Sequence, residues 1–263
     1  MYSILHDLLA DKKGGEIFVL FGGWHFFYMG VVAALIAFAL LRNRNREGLR
    51  MTGSGIRNAG AFLCDLGFYM YIADFFLMPF AYEEIDIEKL PFHVCTAMCV
   101  MCYISRRSKR LKTFYPNIAL LGFVSNLVYL IYPAGVMWHA VHPSSYRVIQ
   151  TLLFHAIMTA GCTLTILDRE YRPGFKAFWK NAVTVGAMTV WAVLGNLFYY
   201  GSAGKYDNDF NWFFVTADPF EMIRRPEGAY IMPFVTTAAF LLVEAMVCLI
   251  FKLTSRRERS AEK

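Results

Sequence analysis

Residues 17–41 read IFVLFGGWHFFYMGVVAALIAFALL, a run without a single aspartate, glutamate, lysine or arginine. A helix needs about 20 mostly apolar residues to cross the ~30 Å hydrocarbon core of a bilayer, and this run is long enough. No positively charged segment of the signal-peptide kind precedes it, and its length exceeds the about 7–15 apolar residues of a signal peptide. We therefore predict a retained transmembrane helix.

The rest of the chain has the same character. Of its 263 residues, 57% are hydrophobic and only 17% are charged, which is too apolar for an ordinary soluble domain. The apolar residues fall into seven blocks, of which the third is short for a membrane span: 17–41, 56–78, 90–104, 114–132, 148–167, 181–201 and 229–251. We predict an all-α, polytopic membrane helix bundle with seven transmembrane helices, forming a single domain over residues 1–263.

The basic residues give an independent indication of topology. With seven helices, the segments after the first, third, fifth and seventh lie on one side of the membrane and hold 19 of the 26 lysines and arginines. Loops rich in positive charge stay in the cytoplasm, which predicts an external N-terminus and a cytoplasmic C-terminus. The net charge of +6 then reflects topology. We expect membrane lipids as partners and no nucleic acid.

Several polar side chains fall at a similar depth inside the predicted helices. Ionisable groups in a membrane are costly and usually functional, and a rise of about 1.5 Å per residue sets their depth. The outer half of the bilayer receives His25, Asp74, His93, Cys95, His155, Asn196 and Tyr199, whereas Asp65 and Glu244 lie deeper. This pattern predicts a polar pocket open to the outer leaflet. Alternatively, each of these side chains only hydrogen-bonds a neighbouring helix.

The motif LPFHVC opens the third block. Pro91 suits the first helical position, so we expect the free N–H groups and positive dipole end of this helix to face a cavity. Cys95 follows about one turn in, where a helix N-terminus favours a reactive thiolate. His93 and Cys95 point roughly 200° apart on a regular helix. Two hypotheses stay open: Cys95 is a nucleophile with His155 or His25 as its base, or His93 is the catalytic group and Cys95 packs.

The other cysteines have no motif of comparable strength. All six cysteines lie within predicted helices, which argues against a secreted disulfide framework. Cys99 and Cys102 form a C-x-x-C pair, but the thioredoxin-like context of such motifs is missing. Because cysteine is small and commonly buried, we expect Cys99, Cys102, Cys162 and Cys248 to serve packing.

An ordered set of short motifs is similar to the YwaF-like family of bacterial integral membrane proteins and covers nearly the whole chain. The matching pieces are GGWH with His25, LPFHVC, YP at 132–133, His155, YRP at 171–173, Asn196, NWFF at 211–214 with Pro219, and Tyr230. The external insertion GSAGKYDND departs from the pattern. We expect no cofactor and no metal, and the resemblance implies a protein of the bacterial cytoplasmic membrane. It also adds Asn211 to the substrate-binding residues expected from depth, which are His25, Asp74, Asn196 and Tyr199.

Vertebrate relatives of this family resemble membrane acyltransferases that move fatty acyl chains between phospholipids through a cysteine. Their motif reads N-P-C-H, with the cysteine directly before the histidine. Pro91 and His93 match that motif, but Phe92 stands in the place of the cysteine, and Cys95 occupies the bacterial position. The resemblance implies acyl transfer and carries over His93, but not the nucleophilic cysteine. Together with the nucleophile and base expected from the helix positions, the predicted catalytic residues are His93, Cys95 and His155.

Three functions are consistent with these residues, and the first is favoured. One is a lipid acyltransferase or related lipid-modifying enzyme. Another is a metal-dependent intramembrane hydrolase with zinc on His25, His93, His155 and Asp74, although none of these helices carries a closely spaced ligand pair. The remaining one is a non-enzymatic seven-helix transporter, receptor or assembly factor; a transporter is expected to depend on Asp65 and Glu244.

Overall fold

Every regular element in the described part of the chain is helical, which confirms the all-α prediction. The computed structural model describes residues 2–12, 15–42, 53–81, 89–137, 141–168, 175–200, 212–214 and 231–261. The helices are α1 Tyr2–Leu9, α2 Gly23–Arg42, α3 Gly53–Ala81, α4 Val94–Arg107, α5 Tyr115–Ile131, α6 Ala134–Met137, α7 Tyr146–Ile166, α8 Phe175–Tyr200 and α9 Met232–Ala261. Single 3-10 turns cover Lys112–Phe114 and Trp212–Phe214.

Six helical segments of the described chain are long and apolar enough to cross a membrane, and the chain is a multi-pass membrane protein. These segments are Gly23–Leu41, Gly55–Ala81, Lys112–Met137, Tyr146–Ile166, Lys176–Phe198 and Met232–Leu253. The third predicted span corresponds to α4, whose 14 residues extend only about 21 Å at 1.5 Å per residue. The seven-helix count and the orientation of the termini stay predictions.

Three helix starts differ from the sequence prediction by four residues or more, and one of them is α8, which begins at Phe175 and not at residue 181. The first span begins at Gly23 and not at residue 17, because Phe21 has a left-handed φ of 57° that ends any preceding helical path. The third begins at Val94 and not at residue 90. There the Phe92 N–H donates to the Leu90 carbonyl at 2.7 Å, a tight turn that a helix does not contain. Pro91 is therefore not the first helical residue.

The chain divides into two compact units, residues 1–87 with 99–171, and residues 88–98 with 172–263. In the first unit, α7 is the central helix and packs against α2, α3 and α5. In its membrane-length window 72% of the residues are buried inside the protein, compared with 22% for α2. The α7 helix thus forms the core of this unit, while most of α2 remains available to lipid.

Two glycines allow α3 and α7 to cross at very short distance. A Cβ atom on Gly60 would lie 2.9 Å from the Gly161 carbonyl oxygen, and a Cβ on Gly161 would lie 2.9 Å from the Cys64 backbone nitrogen. Small residues at such a crossing let two membrane helices gain van der Waals contact along their backbones. The register of α3 against α7 is fixed at this point.

The two ends of the first unit differ in their polar contacts. At one end, the N-terminal segment binds the start of α7: Arg147 pairs with Asp11 at 2.9 Å, and the Lys12 N–H donates to Ser145 Oγ at 3.1 Å. At the other end, Arg57 pairs with Asp168 at 2.6 Å. The α2 start, the α3 end and the α7 start therefore share one end of this unit.

The second unit is built on α8 and α9. Asn181 Nδ2 donates to the buried Glu244 carboxylate at 2.5 Å, and the hydroxyls of Thr189 and Thr237 are 2.6 Å apart. Large apolar side chains on the outside of both helices are more than 60% exposed: Val183, Leu197, Phe198, Phe234 and Leu242. Because six helices have the length and composition of membrane spans, we interpret these side chains as lipid-facing.

Candidate functional site

His93 lies at the entrance of α4 and is held by a segment 120 residues further along the chain. The Phe213 backbone N–H donates to His93 Nδ1 at 3.0 Å. A nitrogen that accepts a hydrogen bond carries no proton, so the neutral ring keeps its proton on Nε2. In this tautomer, the Nε2–H group of His93 can donate a hydrogen bond. The imidazole is half-buried.

The 3-10 turn Trp212–Phe214 makes this contact through an unusual backbone. Phe213 and Phe214 have left-handed φ values of 56° and 52°, a conformation that is rare for bulky residues and costs roughly 1–3 kcal/mol at each position. Two contacts with α9 hold the turn: Thr236 Oγ1 donates to the Phe214 carbonyl at 2.9 Å, and the Phe213 and Phe240 rings lie 5.7 Å apart. Backbone strain of this kind is concentrated at functional sites.

The residues just before His93 are bound to α8. Trp191 Nε1 donates to the Pro91 carbonyl at 2.9 Å, and the Phe92 and Trp191 rings stack at 4.8 Å. Gly195 provides the space, since a Cβ there would overlap the Phe92 ring. The position that holds cysteine in the N-P-C-H motif therefore serves packing here. Docking of Phe92 also explains why α4 begins at Val94, three residues after the proline.

Cys95 is the second residue of α4 and is a free, half-buried thiol. The Ala97 N–H bonds to the His93 carbonyl at 3.0 Å, and Thr96 Oγ1 donates to the same oxygen. His93 therefore precedes the first helical residue, and the expected 200° angle between His93 and Cys95 does not apply, because only Cys95 is helical. The first N–H groups of a helix have no acceptor within it, and whether those of α4 face a cavity stays a prediction.

Of the three substrate-binding residues expected in the second unit, the structure describes the side chain of only one, Asn196. Asn196 is buried in α8, and its Nδ2 donates to the Ala192 carbonyl at 2.8 Å on the same helix. Tyr199 lies in the last turn of α8, with its side chain outside the described residues, and Asn211 also lies outside them. Their expected roles stay predictions.

In the first unit, both ring nitrogens of His25 form hydrogen bonds with backbone groups. Its Nδ1 accepts the Phe21 N–H at 3.0 Å, and its Nε2–H donates to the Leu130 carbonyl at 2.6 Å. Phe21 again has a left-handed φ, of 57°. The ring is buried. The bond to Leu130 joins α2 to the end of α5, and the bond from Phe21 holds the turn before α2. The geometry gives His25 a structural role.

His155 has the opposite tautomer to His93. Its Nδ1 lies 2.7 Å from the Thr151 carbonyl oxygen; because that oxygen only accepts, Nδ1 carries the proton and Nε2 has the lone pair. The ring stacks on Tyr129 at 3.8 Å. Tyr129 precedes Leu130, the partner of His25, so the end of α5 contacts both His25 and His155.

Asp74 is buried on α3, where its carboxylate accepts a hydrogen bond from the Tyr146 hydroxyl at 2.8 Å. Within the described part of the first unit, His25, Asp74 and His155 do not form a group whose ligand atoms could share one ion. Both nitrogens of His25 are also occupied. The geometry of this unit gives the zinc alternative no support.

The Phe213–His93 bond could not be predicted from the sequence. LPFHVC and NWFF are two pieces of one resemblance, and nothing in their spacing predicts a contact between them. The one feature of the sequence that links the two motifs is that both belong to this resemblance. The structure shows that these two meet at His93.

The profile of the TMEM164 family matches residues 10–254, and so includes every candidate residue described above. No curated protein and no solved structure matches the chain.

Proposed function

Because the chain belongs to the TMEM164 family of membrane proteins, we propose that it is an integral-membrane enzyme that transfers fatty acyl chains between phospholipids. The observation that carries this proposal is the bond from the Phe213 N–H to His93 Nδ1. It holds the imidazole at the α4 N-terminus with its Nε2–H available to donate. Acyl transfer needs such a donor, because negative charge develops on the ester oxygen in the transition state.

Cys95 is the proposed nucleophile. Its sulfur attacks the carbonyl carbon of a donor phospholipid, the ester C–O bond breaks, and the thiol proton passes to the departing alcohol, which leaves as a lysophospholipid. The hydroxyl of a second lysophospholipid then attacks the thioester, the C–S bond breaks, and the hydroxyl proton returns to sulfur. His93 Nε2–H and the first N–H groups of α4 stabilise the oxyanion in both steps.

His155 is the proposed base. Its Nδ1–H is held by the Thr151 carbonyl, so its Nε2 has the lone pair that general-base catalysis requires. The proposal assigns His25, Asp74, Asn196, Tyr199 and Asn211 to shaping and lining the lipid-binding region. Of these, His25 and Asp74 act by fixing helix positions through their contacts with Leu130 and Tyr146.

The proposal is tested by replacing Cys95 with alanine. We expect acyl transfer to fall by about 10³-fold or more, since removing a nucleophile removes the covalent route. The assay is lipid mass spectrometry on purified protein in phospholipid nanodiscs supplied with a lysophospholipid. Cys248→Ala, which deletes a thiol from α9, is the matched control, and we expect it to transfer acyl chains at the wild-type rate.

Intact-protein mass spectrometry provides a second measurement on the same samples. The wild type should carry one acyl chain on Cys95 when the acceptor is omitted, and Cys95→Ala should carry none. Wild-type turnover in Cys95→Ala would eliminate the thiol route and leave His93 as the reacting group. No turnover in wild-type protein would contradict the enzyme proposal itself.

Asp65→Asn and Glu244→Gln separate this proposal from a transporter. Asp65 pairs with Arg106 at 3.0 Å and Arg107 at 2.9 Å, and the hydrogen bond to Asp65 raises the pKa of the Arg107 guanidinium. Glu244 is buried against Asn181. Both carboxylates thus have structural partners, and we expect the folded variants to retain acyl transfer near the wild-type rate. Abolished turnover in both folded variants would favour a transport pathway.

A further inference from the structure

Three buried cysteines of the first unit form one cluster outside the proposed catalytic residues. Cys64 lies on α3, Cys102 on α4 and Cys162 on α7, and their Sγ atoms are all within 4.8 Å of one another. Each of the three residues is 0% exposed. Among the histidine, cysteine and acidic side chains that the structure describes, these three have ligand atoms close enough together to bind one metal ion. Cys102 faces this cluster and does not form a disulfide with Cys99.

The close crossing of α3 and α7 fixes two of the three sulfurs. Cys162 follows Gly161, and Cys64 lies one turn after Gly60, so both thiols flank the glycine contact. A Cβ on Gly161 would lie 3.0 Å from Cys64 Sγ. Because backbone atoms form this crossing, neither sulfur position depends on a flexible side chain elsewhere. A site with this preorganisation loses little conformational entropy when a ligand binds.

Polar and positive groups border the sulfurs. The Tyr115 hydroxyl donates to Cys64 Sγ at 3.8 Å and lies 3.1 Å from Thr165 Oγ1, which donates to the Gly161 carbonyl at 2.9 Å. The Arg106 guanidinium lies 5.9 Å from the centre of the Tyr115 ring. Simple packing of small side chains requires neither a hydroxyl directed at sulfur nor a nearby guanidinium. Both groups favour negative charge on the sulfurs.

We propose that Cys64, Cys102 and Cys162 form a three-thiolate site for a soft d10 metal ion, Cu⁺ or Zn²⁺. Thiolate ligands select these ions. A metal–sulfur distance of about 2.3 Å requires sulfurs about 4 Å apart in a trigonal arrangement, which is compatible with Sγ separations of no more than 4.8 Å. Each thiol releases its proton to solvent as its bond to the metal forms. Arg106 already pairs with Asp65 at 3.0 Å and so offsets little of the remaining negative charge. Tyr115 stands beside Cys64 as a hydrogen-bond donor to the bound sulfur.

The experiment uses full-length protein purified in detergent under reducing conditions, with Cu⁺ and Zn²⁺ added separately against a chelator of known affinity. We expect one ion of one of these metals per chain by elemental analysis. X-ray absorption spectroscopy of the loaded wild type should show three sulfur ligands at about 2.3 Å. This second measurement needs no variant, so it remains decisive if a substitution prevents folding.

Single Cys→Ser variants identify the ligands. We expect Cys64→Ser, Cys102→Ser and Cys162→Ser each to weaken binding by at least about 100-fold, because loss of even an outer hydrogen-bonding partner of a metal ligand costs 10–100-fold. Cys248 lies on α9, and Cys248→Ser is the matched control, which should bind the metal as tightly as the wild type. The proposal is overturned if wild-type protein binds neither metal. It is equally overturned if absorption spectra show fewer than three sulfurs, or if mass spectrometry finds a disulfide within the cluster in reduced protein.

Discussion

His93→Ala is expected to lower acyl-transfer turnover by about 10³-fold while leaving the protein folded. Loss of one oxyanion donor costs about 10²–10³ in rate, and the alanine also frees the Trp212–Phe214 turn from its bond to Nδ1. The loss should appear in kcat, because the donor acts on charge that develops only in the transition state. Lipid mass spectrometry across a range of lysophospholipid concentrations separates kcat from KM.

His93→Gln tests which property of the ring matters. Glutamine retains an amide N–H donor but has no basic nitrogen, so it should recover roughly tenfold over the alanine variant if His93 acts as a donor. His142→Ala is the control, since His142 bonds only to its neighbour Ser144 among the contacts described for its ring. Wild-type kcat in folded His93→Ala would contradict the assignment. Equal loss in the alanine and glutamine variants would favour a base instead of a donor.

Gly161→Val is the substitution expected to destabilise the fold most. A Cβ at this position would meet the Cys64 backbone nitrogen at 2.9 Å and the Gly60 carbonyl oxygen at 3.0 Å. Backbone atoms cannot rotate away as a side chain does, so α3 and α7 must separate along their whole interface. Overpacking costs typically 1–3 kcal/mol and occasionally more, and we expect about 3 kcal/mol here. The measurement is the thermal unfolding midpoint of purified protein in detergent.

Gly30→Val is the matched control within the same unit. A Cβ on Gly30 has no atom within 4 Å, and α2 exposes this face, so the substitution should change the unfolding midpoint little. The crossing is also what positions Cys64 and Cys162, so Gly161→Val should weaken metal binding together with stability. An unfolding midpoint for Gly161→Val that equals that of Gly30→Val would show that α3 and α7 do not meet as described.

Much of the helical architecture could be predicted from composition alone. An apolar run of about 20 residues is a strong physical signal, because lipid offers its backbone groups no hydrogen-bond partner outside a helix. The runs corresponding to α3, α5 and α7 agree with the observed helices to within about three residues, whereas α8 begins six residues before its predicted start and α9 ends ten residues after its predicted end. The prediction failed at the starts of α2 and α4. α2 begins later than predicted because Phe21 has a left-handed φ. α4 begins later because the Phe92 ring packs against Gly195 of α8.

The contacts that define the candidate site could not be predicted in the same way. The bond from Phe213 to His93 joins residues 120 positions apart, and no local pattern encodes it. The tautomers of His93 and His155 depend on which backbone group each ring meets, which only the packed structure determines. The three clustered cysteines come from three helices with no ligand spacing between them, so the sequence predicts only packing for Cys102 and Cys162 and no role for Cys64.

The central claim, acyl transfer between phospholipids, is tested most directly by a double-label measurement. Wild-type protein in nanodiscs receives a donor phospholipid with a ¹³C-labelled acyl chain and a lysophospholipid acceptor with a deuterated headgroup. We predict that a phospholipid with both labels accumulates with time, at a rate proportional to protein concentration, because only transfer joins the two labels in one molecule. If the donor and acceptor labels never appear together, or if the labelled chain is released only as free fatty acid, the account of this protein as an acyltransferase is wrong.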